Sequence, residues 1–178
     1  MARYLTLSRR AFATQQIFDG VKNNSIRLAK RPTGFTSAEN WTFSSEVLTP
    51  SETDIVVKVT SISLDPAMRG WLNDAKSYIP PVGIGEVMRA GGIGKVVFRG
   101  SQTDSPLQVG DFVSGMVGVQ EYTMGSVSDF KKSGGLHKID LSLGTENQWL
   151  NVLGMPGIFS VGHSGCAFFW HLKYLICL

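Results

Sequence analysis

Two apolar stretches constrain this chain most: Asp54–Leu64, DIVVKVTSISL, and Gly91–Phe98, GGIGKVVF. Both are rich in Ile and Val, which predicts strands. Between them the chain turns sharply at Asp65-Pro66 and crosses a loop carrying Arg69, Trp71 and Tyr78. It then re-enters a strand through Gly91, Gly92 and Gly94. Taken alone, such a loop is more often a plain connector whose Pro and Gly residues turn the chain. An aromatic and a cation on a loop between two barrel strands are also a common way to wall a ligand cleft.

The rest of the chain reads as strands first and a helix late. Ser25–Lys30 alternates apolar and polar residues, and Pro32–Gly34 is a turn. Trp41–Leu48 alternates again, with a bulge expected before Val47, and Pro50–Thr53 turns the chain into Asp54. Asp65 followed by Pro66 predicts an N-cap and first helical position for one short turn over Ala67–Leu72. Ser101–Pro106 is a polar turn, Val109–Val113 enters another strand, and Val117–Val127 continues the β pattern. Lys131–Gly135 is expected to be a loop and Leu136–Ile139 a short strand. Thr145 and Gln148 have capping-box spacing, and Gly154 is expected to end the helix they start. This pattern predicts a mostly β fold, an irregular barrel with a helical exit.

Four domain segments follow: an arm over 1–24, a barrel over 25–144, the start of a linker helix over 145–157, and an apolar tail over 158–178. The net charge of +3 is uneven. Residues 1–31 hold seven Lys or Arg against Asp19 alone, a local charge of +6, and the remainder carries −3. The basic character therefore belongs to the arm, and nucleic-acid binding by the folded body is not expected. The arm has the Arg- and Ser-containing, acid-poor composition of a mitochondrial transit peptide, and equally that of a frayed leader. A cytoplasmic location is expected, with a mitochondrial one as the alternative. Cys166 and Cys177 are the only cysteines, which supports neither a disulfide framework nor a Cys-rich zinc site. No apolar run approaches the length needed to span a bilayer, so no membrane partner is expected.

Four chemical motifs are absent. Gly92-Ile-Gly94 supplies two glycines of a dinucleotide fingerprint, but Val97 holds the third position and a strand follows where a helix must open. Gly94-Lys95 is followed by Val96 rather than Ser or Thr, so no P-loop forms. His137, His163 and His171 lack metal-ligand spacing. No Gly-x-Ser-x-Gly elbow occurs.

Six ordered motifs remain: Ile26–Pro32 (IRLAKRP), Ser63–Gly70 (SLDPAMRG), Ser77–Pro81 (SYIPP), Gly91–Val96 (GGIGKV), Val109–Val113 (VGDFV) and Leu153–Gly157 (LGMPG). Together they resemble the N-terminal half of the zinc-independent medium-chain dehydrogenase/reductases. The nearest branch is the NADP-dependent alkenal/enone reductases, which includes leukotriene B4 12-hydroxydehydrogenase, prostaglandin reductase and curcumin reductase. The resemblance runs from about Ser25 to Gly157. It implies a GroES-like barrel that packs on a Rossmann domain, with NADP and a small enone or alkenal substrate between them. Hydride would pass to the β-carbon of an α,β-unsaturated carbonyl.

Carried over residue by residue, the resemblance assigns Pro66, Met68, Arg69 and Tyr78 to the substrate cleft. It assigns Met155, Pro156 and Gly157 to the crossing into the cofactor domain, and it assigns no metal ligand. Three departures stand out. Ala67 replaces a tyrosine, Val119 replaces a tryptophan within Gly118–Tyr122, and the chain beyond Gly157 reads Ile158-Phe159-Ser160-Val161-Gly162 before becoming unrelated. The resemblance therefore implies a barrel half shortened near Gly157, without a nucleotide-binding domain, inactive by itself and binding no NADP. The alternative is a non-catalytic binding or interaction module. Oligomeric state and substrate identity do not follow from the sequence.

Overall fold

The computed structural model describes residues 21–77 and 79–153. The first twenty residues, Tyr78, and residues 154–178 lie outside it. So do the expectations for the leader's first twenty residues, Tyr78, the helix stop at Gly154, the crossing at Met155, Pro156 and Gly157, and the apolar tail.

Among the described residues, seven strands form two antiparallel sheets. A hairpin joins β1 (Val21–Leu28) to β2 (Trp41–Leu48). The larger sheet has the order β6-β3-β4-β5-β7. Its strands are β3 (Asp54–Ile62), β4 (Gly91–Arg99), β5 (Phe112–Met116), β6 (Tyr122–Ser126) and β7 (Leu136–Ile139). A 3-10 turn over Ala38–Asn40 and, among the described residues, three short α-helices accompany them: α1 (Ala67–Gly70), α2 (Val127–Lys132) and α3 (Glu146–Leu153). This is the mostly β architecture with a late helix that the sequence predicts.

The near-continuous apolar run of β3 is explained by two covered faces. Ile55 and Val57 point into one core with Val96, Val113, Leu107 and Phe130. Val56, between them, joins Leu48 and Phe98 on the other face. Period-two geometry makes this division automatic once both faces are covered. Register shifts between Val56 and Val57 and between Val59 and Ser61 bend β3 along β4. At the second shift Thr60 has no Cα partner in β4, and its hydroxyl donates to the Ile93 carbonyl at 3.2 Å.

The hairpin is tied to the larger sheet by polar groups. Buried Asn23 donates to the Gln120 side-chain oxygen at 3.1 Å and accepts from the Tyr122 amide at 2.9 Å. Asn24 donates to the Glu121 carboxylate at 3.0 Å. These contacts explain why Val21–Asn24, assigned above to the arm, form the first half of β1 instead.

Three other local expectations are corrected. The β1–β2 register is continuous from Val21↔Leu48 to Leu28↔Trp41, so β2 has no bulge. Pro66, not Asp65, is the N-cap of α1, and no side chain caps it. The stretch expected as strand to Val127 and then loop contains α2. Ser126 accepts from the Asp129 amide at 3.3 Å and donates to the Asp129 carboxylate at 2.6 Å, and the helix buries Phe130 against Ile55 and Leu107.

Candidate functional site

The strands converge on a cleft of about 340 Å³. Its floor is the pair of strand ends at Gly91-Gly92 and Ser114–Met116. Asp65, Ala67 and Trp71 wall one side, Leu150 and Leu153 of α3 another, and the Ser133–Gly135 turn with His137 a third. Asp65 and His137 are the only titratable side chains among the described lining residues. The cleft offers small residues and an apolar surface, with few charges.

Much of its room comes from residues that the fold keeps small. A Cβ on Gly92 would collide with the Ser61 carbonyl oxygen and the Val117 side chain. A Cβ on Gly115 would lie 2.6 Å from the Gly135 carbonyl oxygen. Gly134 and Gly135 have φ of 100° and 86°, where glycine is favoured. Gly91 differs: nothing lies within 4 Å of a Cβ built there. Together with Ala67, it is a position where the cleft is open by choice of residue and not by backbone necessity.

The α1 turn is locked from behind. Arg69 donates to the Gly34 carbonyl at 2.7 Å and to the Asn73 side chain at 2.8 Å. Met68 packs against the cluster of Leu28, Trp71, Leu72, Val82 and Met88. Arg89 stands over the Trp71 ring at 5.6 Å and donates to the Pro80 carbonyl at 3.0 Å. The Val82 amide donates to the Trp71 carbonyl at 2.8 Å, and Arg31 donates to the Leu72 carbonyl at 2.8 Å. The loop between β3 and β4 is thus held at several points.

The residues predicted for the cleft are therefore split. Pro66, Met68 and Arg69 sit on the walling turn, but the side chains presented to the cleft are those of their neighbours Asp65, Ala67 and Trp71. Met68 and Arg69 face the interior and the 32–34 loop. Sequence reasoning missed Gly115, the 133–135 turn, His137 and the α3 pair as lining residues. The helix itself was signalled by Thr145 and Gln148, whose reciprocal capping bonds measure 2.8 Å and 3.3 Å.

A second, more apolar cavity of about 360 Å³ lies beyond the 133–135 turn, between α2 and the 105–107 loop. It shares Gly134, Gly135 and His137 with the cleft.

The described residues do not fit the phosphates of a dinucleotide. Gly92 and Gly94 both serve strand packing. A Cβ on Gly94 would lie 2.5 Å from Val57 and 2.6 Å from the Lys58 carbonyl oxygen, within a strand pair and not at a helix start. Among the described residues no group of His, Cys, Asp and Glu could hold a metal ion, and no helix is long and apolar enough to cross a membrane.

Residues 24–133 match the family described as the N-terminal domain of oxidoreductase. The NADPH-dependent curcumin reductase of Escherichia coli is 40% identical over 139 residues, covering 76% of this chain and 37% of that protein. The NADP-dependent 2-alkenal reductase of Nicotiana tabacum is 32% identical over 106 residues, covering 59% of this chain and 29% of that protein. Among solved structures, CurA of Vibrio vulnificus in complex with NADPH superposes with a TM-score of 0.64 at 33% identity, over 78% of this chain and 39% of that one. The chain thus spans well under half the length of the relatives it matches. It belongs to the N-terminal domain family of the medium-chain dehydrogenase/reductases, in the branch of the NADP-dependent curcumin and alkenal reductases.

Proposed function

We propose that this chain supplies the substrate side of an NADP-dependent reductase acting on the C=C bond of α,β-unsaturated aldehydes and ketones. The observation that carries the reading is the cleft itself. It is low in charge, floored by glycines and serines, and walled by Trp71 and by Leu150 and Leu153. Such a wall suits a flat, largely apolar carbonyl compound and excludes water from its reacting face. NADPH, held by a nucleotide-binding half, would supply the hydride. The barrel's own residues bind and orient the substrate.

By itself the 178-residue chain is expected to bind no NADPH and reduce no enone, because neither Gly-x-Gly among the described residues, Gly83-Ile-Gly85 or Gly92-Ile-Gly94, opens a helix, and the second is consumed by packing of β4 on β3. The test is a chimera in which residues 24–153 replace the matching barrel of the Escherichia coli curcumin reductase. Substrate-dependent NADPH oxidation by the chimera, with none from the present chain, is expected for curcumin or a 2-alkenal. A folded chimera that binds NADPH but reduces neither compound overturns the reading.

A second reading, a barrel used as an interaction module, draws support from Leu143, Val152 and Leu153, all well exposed around α3. It predicts that the chain alone retains a protein partner when these three positions are apolar and loses it when they are made Ser.

A further inference from the structure

The hairpin has one satisfied edge and one open edge. On the β1 side, the Ile26 amide donates to the Val119 carbonyl at 2.9 Å and its carbonyl accepts from Met88 at 2.8 Å. Leu28 does the same with Glu86 at 3.0 Å and Gly85 at 2.7 Å. Asn24 accepts from the Glu121 amide at 3.0 Å. These three residues direct their backbone groups away from β2. Their cross-strand partners Ser45, Phe43 and Trp41 are therefore the non-hydrogen-bonded positions of the β1–β2 ladder. The Trp41 amide closes the preceding turn on the Ala38 carbonyl, whereas the amides and carbonyls of Phe43 and Ser45 point to the far side of β2, where no backbone bond to any described residue is made.

This edge lacks the features that ordinarily protect one. Trp41–Leu48 contains no Pro and no Lys, and its register is unbroken by a bulge. Its single charge, Glu46, is occupied by Arg27 at 2.9 Å. Phe43 is 82% exposed and Val47 56%.

We propose that β2 pairs antiparallel with β2 of a second copy of this chain, joining two hairpins into one four-stranded sheet. The strand is complementary to itself in one register. With Ser45 on the two-fold axis, Phe43 of each copy lies opposite Val47 of the other, so the two exposed apolar side chains cover each other twice. In that register Phe43, Ser45 and Val47, whose backbone groups face the open edge, form the hydrogen-bonded pairs, for about six new backbone bonds. Glu46 falls opposite Ser44, and no like charges oppose one another. The pairing does not depend on the enzymatic reading above.

Sedimentation velocity on the full chain, over about 1–100 µM, tests it; an edge pairing of this size associates weakly. The average mass is expected to move from one 19.4 kDa chain toward two as concentration rises. Ser45→Pro removes the central outward amide without removing a bond to β1, a placement proline tolerates. It is expected to shift dimerisation at least tenfold higher in concentration, with little change in melting temperature. Independently, Ser45→Cys in a chain carrying Cys166→Ser and Cys177→Ser is expected to form a covalent dimer with a short bismaleimide, and Ser51→Cys in the same background is not. A monomer throughout the range, or an assembly that survives Ser45→Pro and gives no residue-45 crosslink, overturns the proposal. So does a monomer whose β2 amides are protected from hydrogen exchange until residues 1–20 are deleted, because the arm is then what covers the edge.

Discussion

At the residue scale, the cleft separates glycines the backbone demands from small residues it does not. Gly94 is of the first kind: Gly94→Ala places a methyl against Val57 and the Lys58 carbonyl, and backbone cannot yield as a side chain can. The expected loss is about 1–3 kcal/mol in denaturant unfolding. Gly91 is of the second kind. Gly91→Val should leave stability almost unchanged, since the added atoms enter the cleft. In the chimera it should lower kcat/KM for curcumin relative to a small 2-alkenal, and Ala67→Tyr should act in the same sense, by about 1–3 kcal/mol of discrimination. Unchanged ratios for both variants would mean that substrate does not approach this wall. Charge gives a separate expectation. Lys138 at 2.7 Å, helped by the Gln108 amide, holds the Asp111 carboxyl below its usual range. A depressed folded-state value means that this contribution is complete above about pH 4, the unfolded carboxylate value, and is lost as pH falls through the lower folded value. Lys138→Met should therefore move the acid-unfolding midpoint, followed by circular dichroism, to higher pH.

At the element scale, the strands were legible because Ile and Val runs bounded by Gly and Pro leave little choice, as in Asp54–Ile62 and Gly91–Arg99. Two elements were not read correctly, for different reasons. The start of β1 at Val21 depends on Asn23 reaching Gln120 and Tyr122, a contact 97 or more residues away that no local pattern announces. Helix α2 is only six residues long and follows a strand directly, so its single buried Phe130 gives no helical period. The signal that was present is the Ser126-x-x-Asp129 cap, and it sits where a β pattern was still running. The cleft was legible as a loop but not in its lining. The sequence points to Pro66, Met68 and Arg69, whereas the direction of each side chain on a one-turn helix is decided by what packs behind it, here Leu28, Val82 and the 32–34 loop. If Ser126 nucleates α2, Ser126→Ala should cost about 1 kcal/mol in thermal or urea unfolding, and Asp should largely restore it. A loss well under that would assign the helix to Phe130 packing alone.

At the scale of the whole molecule, a barrel with its own core is joined to a segment of very different composition. Eight large apolar side chains fall within residues 168–178: Phe168, Phe169, Trp170, Leu172, Tyr174, Leu175, Ile176 and Leu178. They occupy every face of any helix or strand, so no single amphipathic element can bury them all on a barrel of this size. High β-propensity, low charge and the absence of proline add an aggregation signature. The described core needs no contribution from that segment to close. Its three clusters draw on β1–β7, α2 and the loops between β3 and β6, all before residue 153. Deleting residues 158–178 is accordingly expected to raise soluble yield and to lower the barrel's melting temperature by no more than a few degrees. The comparison requires both forms in the same buffer at matched concentration, because association through β2 would itself raise the apparent melting temperature by mass action. If the shortened chain instead unfolds, the segment is a working part of the core, and the three clusters alone do not account for the stability of the fold.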